Sequence, residues 1–126
     1  MHASELQARL TESELKTKII DLAHARGWLA HHTRPARRWD GSWSTPIEGD
    51  PGFPDLVLVR DQSIIIVELK TTKGALSDEQ RKWFRELTGD GSGRSPHRSA
   101  GVRDGHGLLV ETWRPEDWAL IEEILA

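Results

Sequence analysis

Apolar residues recur along this chain in two rhythms. In TESELKTKIIDLAHARGW, Leu15, Ile19, Leu22 and Ala23 fall three and four apart, one stripe of a helix. Thr11 with Glu14 three residues on has the form of a capping box, and Gly27 ends the pattern. Helical spacing returns in Ser77–Thr88 (SDEQRKWFRELT), where Gln80 shares a stripe with Trp83, Phe84 and Leu87. Pro115–Leu125 reads as a last helix, with Pro115 suited to its first turn. Asp55–Arg60 (DLVLVR), Ser63–Lys70 (SIIIVELK) and Gly107–Thr112 (GLLVET) read as strands, and Trp28–His32 as a shorter one. The order α-β-β-β-α-β-α predicts an α/β fold with a mixed sheet flanked by helices. The step from the second long strand through its helix to Gly107 should be a right-handed crossover.

Two stretches have no period, 33–54 and 89–105. Loops beyond about 12–15 residues are usually functional or disordered. The chain's 126 residues suit one domain, 1–126, with a single core. There are no cysteines, which removes disulfides, Cys-based zinc sites and a Cys nucleophile together. No apolar run is long enough to span a membrane, and the N-terminus is polar and acidic rather than a secretory signal, so a cytoplasmic location is expected.

Net charge is −3, which argues weakly against nucleic acid. Its distribution changes that picture. Arg26, Arg34, Arg37 and Arg38 lie with His24, His31 and His32 in an acid-free stretch, and Arg94, Arg98 and Arg103 follow later. Such a band can bind phosphates locally whatever the total. The plainer alternative is two solvated, arginine-rich loops. Trp39 and Trp43 beside Arg37 and Arg38 could stack on unpaired bases or anchor the loop in the core.

The chemistry gathers on one hairpin. If Asp61-Gln62 is a two-residue turn, Arg60 pairs with Ser63, and Asp55 lies opposite Glu68. Opposed residues of an antiparallel pair face one side with Cβ atoms roughly 5 Å apart, and Lys70 shares that face with Glu68. Two carboxylates at about 4 Å repel by about 4 kcal/mol at an effective dielectric of about 20. Lys70 offsets part of this. A divalent cation offsets more, and oxygen ligands suit Mg²⁺ or Mn²⁺. The alternative is a cross-strand Glu68–Lys70 salt bridge. Gln80 is equally well explained as the capping-box partner of Ser77, and Glu14 is better explained as that of Thr11.

Gly52-Phe53-Pro54-Asp55, Glu68-Leu69-Lys70 and the run VELKTTKGALSDEQRKWF resemble the VRR-NUC domain, a branch of the PD-(D/E)XK nuclease superfamily. The resemblance extends from about Thr11 to Trp118. It implies a restriction-endonuclease-like core (α-β-β-β-α-β) and a divalent-metal-dependent DNA endonuclease. Asp55, Glu68 and the Leu69 carbonyl would hold Mg²⁺ or Mn²⁺, and Glu14 would bind the metal directly or through water. Lys70 would orient the attacking water and steady charge on the phosphate, with Gln80 helping to position it. Arg34, Arg37, Arg38 and Lys73 are the expected DNA contacts. Stand-alone members are associated with branched DNA, so a Holliday junction cut by a homodimer is the specific expectation. A monomeric nicking or flap nuclease and a catalytically idle DNA-binding module are the alternatives.

Overall fold

A computed structural model of the chain describes residues 10–33, 36–37, 40–44, 48–89 and 107–126. The first helix, α1 (Glu12–Ala25), starts where expected. The Thr11 hydroxyl accepts from the Glu14 N–H at 3.1 Å, and Glu14 Oε1 accepts from the Thr11 N–H at 3.3 Å. Leu15, Ile19 and Ala23 form its buried stripe.

A four-stranded sheet follows, in the order β1 (Leu29–His32), β4 (Leu56–Arg60), β5 (Ser63–Leu69), β6 (Gly107–Trp113). The β4–β5 hairpin closes on Asp61 and Gln62, whose φ values of 48° and 70° give the left-handed pair that a two-residue hairpin turn needs. Its register runs from Arg60↔Ser63 to Leu56↔Val67, the pairing the two-residue turn predicts. β1 pairs antiparallel with β4, and β6 parallel with β5, so the sheet is mixed. This α/β architecture is consistent with a restriction-endonuclease-like core.

β5 is central and carries apolar residues on both faces. Ile65, Val67 and Leu69 join Leu56, Leu58, Leu109 and Trp113 under α1 and the last helix, α3 (Trp118–Leu125). Ile66 and Val110 face the other way, onto Phe84 and Leu87 of α2 (Asp78–Thr88) and onto Leu76. Arg60 ties the ends of the first layer together: its guanidinium donates to the carbonyls of Arg26 and Ala126 and stacks over Trp28.

Three expectations need correction. The stretch 33–54 is not devoid of structure, because Ala36–Arg37 (β2) and Trp43–Ser44 (β3) pair antiparallel. Two-residue strands are too short to show a period. Asp55 and Lys70 stand one residue outside β4 and β5, at the sheet's end rather than within it. The last helix opens with a separate 3₁₀ turn, Pro115–Asp117. Among the described residues no helix is long and apolar enough to cross a membrane.

Candidate active site

The segment entering β4 is a strap laid across α2. At Gly52, φ is +97°, and a Cβ there would meet the Glu79 carbonyl carbon and Cβ at 2.7 Å. Glycine alone combines that conformation with so close an approach. Trp83 of α2 fixes the strap from below: its indole N–H donates to the Pro51 carbonyl at 3.0 Å, and its ring meets Phe53 edge-to-face at 5.1 Å. Pro54 is buried next to it. Asp55 therefore arrives at the sheet from a firmly held approach.

There Asp55 Oδ2 accepts the Leu69 N–H at 2.8 Å. The bond extends the hairpin by one step beyond the Leu56↔Val67 pair and sets Asp55 beside Glu68. Glu68 is 2% exposed. Its carboxyl is pushed up to about 10, first by burial, then by the hydrogen bond and charge of Asp55. Lys70 opposes the rise and Glu12 adds to it. At neutral pH the pair therefore favours sharing a proton over carrying two charges.

Glu68 Oε2 is buried without a hydrogen-bond partner among the described residues. So is the hydroxyl of Thr112, its neighbour across the parallel pair. Buried orphan oxygens are costly, and two side by side fit a hard cation or its water. Among the described residues no three His, Cys, Asp or Glu side chains converge on one point. Mg²⁺ commonly binds through one or two carboxylates and keeps several waters, so the Asp55–Glu68 donor set fits it.

In front of the pair lies a cavity of about 490 Å³, bounded by Glu12, Ser13 and Lys16 of α1, by the strap from Asp50 to Phe53, and by Asp55 and Leu69. Glu14 is not on that wall; it is exposed and engaged in the α1 cap. Glu12, two residues earlier, is the first-helix acid whose charge reaches Glu68. The capping box was the available signal: a glutamate committed to N3 points back along its own helix. Gln80 is likewise in a cap, its Oε1 accepting the Ser77 N–H at 2.8 Å.

Lys70 is half-buried, and its backbone N–H donates to the Trp113 carbonyl at 3.1 Å. Arg114 secures the turn that follows by donating to the carbonyls of Thr71 and Gly74. Its distance in sequence hid that role. Lys73 is exposed on the same turn. Arg34 and Arg38 lie outside the described residues, and Arg37 is described only as backbone in β2.

Among known families, the model of the VRR-NUC domain aligns with residues 30–95, just over half of the chain. The matched span holds Asp55, Glu68, Lys70 and Gln80 and stops short of α1. No curated protein and no solved structure matches the chain.

Proposed function

The chain belongs to the VRR-NUC domain family, a nuclease family of the PD-(D/E)XK type, and from that premise we propose that it is a Mg²⁺- or Mn²⁺-dependent DNA endonuclease acting on branched DNA. One observation carries the reading: two carboxyl groups held together at the sheet's end, with one buried oxygen orphaned. Asp55 and Glu68 would hold the metal with the Leu69 carbonyl, and Glu12 takes the place expected of Glu14 as the first-helix acid, acting through water. The ion supplies Lewis-acid polarisation of the phosphoryl oxygen and a more acidic water. Lys70 orients that water and balances charge growing on the phosphate. Gln80 contributes through Ser77 and the start of α2 rather than by touching the metal. Arg34, Arg37, Arg38 and Lys73 contact the DNA backbone. Two strands of a junction call for two sites, which favours a homodimer.

A panel of end-labelled Holliday junctions, flaps, splayed arms and plain duplexes, each with Mg²⁺, Mn²⁺ or EDTA, tests this. Cleavage of the branched substrates with metal and none in EDTA is expected. Intact DNA throughout, at any metal concentration, rules the reading out.

A further inference from the structure

We propose that Phe53 is a stacking platform for an unpaired nucleobase beside the scissile phosphate. The inference rests on the nuclease reading above and narrows its substrate class to DNA with an unstacked nucleotide at the cut.

Among the described side chains Phe53 is the one exposed aromatic, at 44% exposure. Trp28, Phe84 and Trp113 are buried in the two cores. Leaving nearly half of a phenylalanine exposed forfeits part of the free energy of burying it. The ring is held out by a chain of specific contacts: Gly52 against Glu79, Pro54 buried, Trp83 meeting the ring edge-to-face and fastened in turn to Pro51. An aromatic ring fixed in advance loses little freedom when a base settles on it.

Its place is as informative as its exposure. Phe53 lines the same cavity as Asp55 and Leu69. Two residues of extended chain reach at most about 7 Å, and successive nucleotides of one strand rise about 3.4 Å. The ring and the carboxylates thus face one nucleotide and its immediate neighbour. Stacking on an aromatic ring is tolerant of sequence, because every base has a π-face. It is not tolerant of structure: inside a duplex both faces of each base are covered by adjacent bases. The ring gains a partner only where a base has lost one, at a flap, a splayed arm or the branch of a junction. Structure selectivity then follows from a single side chain, without base-edge readout.

The test compares wild type with Phe53→Ala, Phe53→Leu and Phe53→Trp. The readout is the ratio of kcat/KM on a splayed-arm substrate to that on a paired duplex of the same sequence. Base–aromatic stacking predicts that Phe53→Ala lowers this ratio roughly 5- to 150-fold. Phe53→Leu, which keeps an apolar contact with Trp83 and so guards against misfolding, should lower it similarly, and Phe53→Trp should keep it. An unchanged ratio in Phe53→Ala overturns the proposal, as does Phe53→Leu matching Phe53→Trp. A second arm needs no cleavage: a splayed arm carrying 2-aminopurine at the unpaired nucleotide next to the branch, bound in EDTA. Wild type should quench its fluorescence and Phe53→Leu should not. If wild type cuts nothing, the nuclease reading fails and this arm alone decides the platform; equal quenching by both proteins overturns it.

Discussion

Glu68 is a buried acid with a strongly raised pKa, and its proton leads to two outcomes. A carboxyl whose pKa rises on folding from 4.5 to about 10 is protonated in both states below pH 4.5. Between these values the unfolded chain releases the proton and the folded chain keeps it. Metal-free stability should therefore fall as pH rises from 4.5 toward 10. Glu68→Gln, which keeps the shape and cannot ionise, should lose that slope and be at least as stable as wild type at pH 8 in EDTA. Mg²⁺ or Mn²⁺ must displace the proton, so the metal-induced rise in wild-type Tm should grow with pH and be largely absent in Glu68→Gln. Melting curves from pH 6 to 9, with EDTA and with excess metal, check both statements; a salt bridge between Glu68 and Lys70 predicts instead a less stable variant and no response to metal. Lys70→Ala should leave folding and DNA affinity nearly intact and cut kcat at least 100-fold, because an ammonium beside the metal acts mainly in the transition state. Single-turnover cleavage measured beside DNA binding separates the two effects. The placement of Asp55 beside Glu68 was legible in the sequence because strand alternation and one turn length determine it. That Glu12 rather than Glu14 lines the cavity was not: both sit in the first turn of α1, and which one faces the sheet depends on how α1 lies on it, a tertiary fact that no local spacing encodes.

At the scale of elements, the hairpin and the strap do different jobs. The hairpin sets which residues oppose each other, and the strap sets where Asp55 enters. The hairpin register could be deduced because a two-residue loop leaves one pairing, and Asp61 and Gln62 do adopt the left-handed conformation that the loop demands. The strap could not: GDPGFP reads only as loop chemistry, and its contact with α2 depends on residues 27 positions apart, Gly52 and Glu79. β1 was visible as a short strand, but its place at the sheet's edge beside β4 follows from the packing of Trp28 and Leu56 into one core. The strap makes a sharp prediction. Gly52→Ala puts a Cβ 2.7 Å from backbone that cannot yield and asks alanine to hold a positive φ. It should destabilise the protein by about 1–3 kcal/mol and lower cleavage more than the reduced stability explains, since Asp55 and Phe53 move together. Thermal melts and kcat/KM measured well below Tm test it; an alanine variant with wild-type kinetics would mean that the strap is a spacer.

For the whole molecule, the fold brings three separate layers to one corner. The N-terminus of α1, the strap lying on α2 and the open end of the β4–β5 pair meet around the 490 Å³ cavity, so neither the sheet nor a helix alone could supply it. Among the described residues that corner is acidic, with Glu12, Asp50 and Asp55 on its wall against Lys16 and with Lys70 close to Glu68, on a chain of net charge −3. A polyanion will not approach such a site unaided. On the proposed reading a divalent ion would supply part of the answer, and its removal should weaken DNA affinity as well as abolish cleavage. The rest must come from cations elsewhere, and an acid-free set in the sequence is Arg34, Arg37 and Arg38, of which Arg37 lies in β2. If these arginines hold phosphates, replacing all three with Ala should weaken binding uniformly across sequences. The slope of log affinity against log salt should also become shallower by about 0.9 for each B-DNA phosphate left unneutralised, up to roughly 2.7 in all. Titrations of a labelled junction from 50 to 300 mM KCl, in the presence of EDTA to isolate the arginines from the metal, read this directly. A variant that binds more weakly with the same slope has a damaged shape but an intact phosphate track. One that matches wild type in both affinity and slope assigns the phosphate track to another surface, with Lys73 on the exposed turn after Lys70 as the first residue to replace.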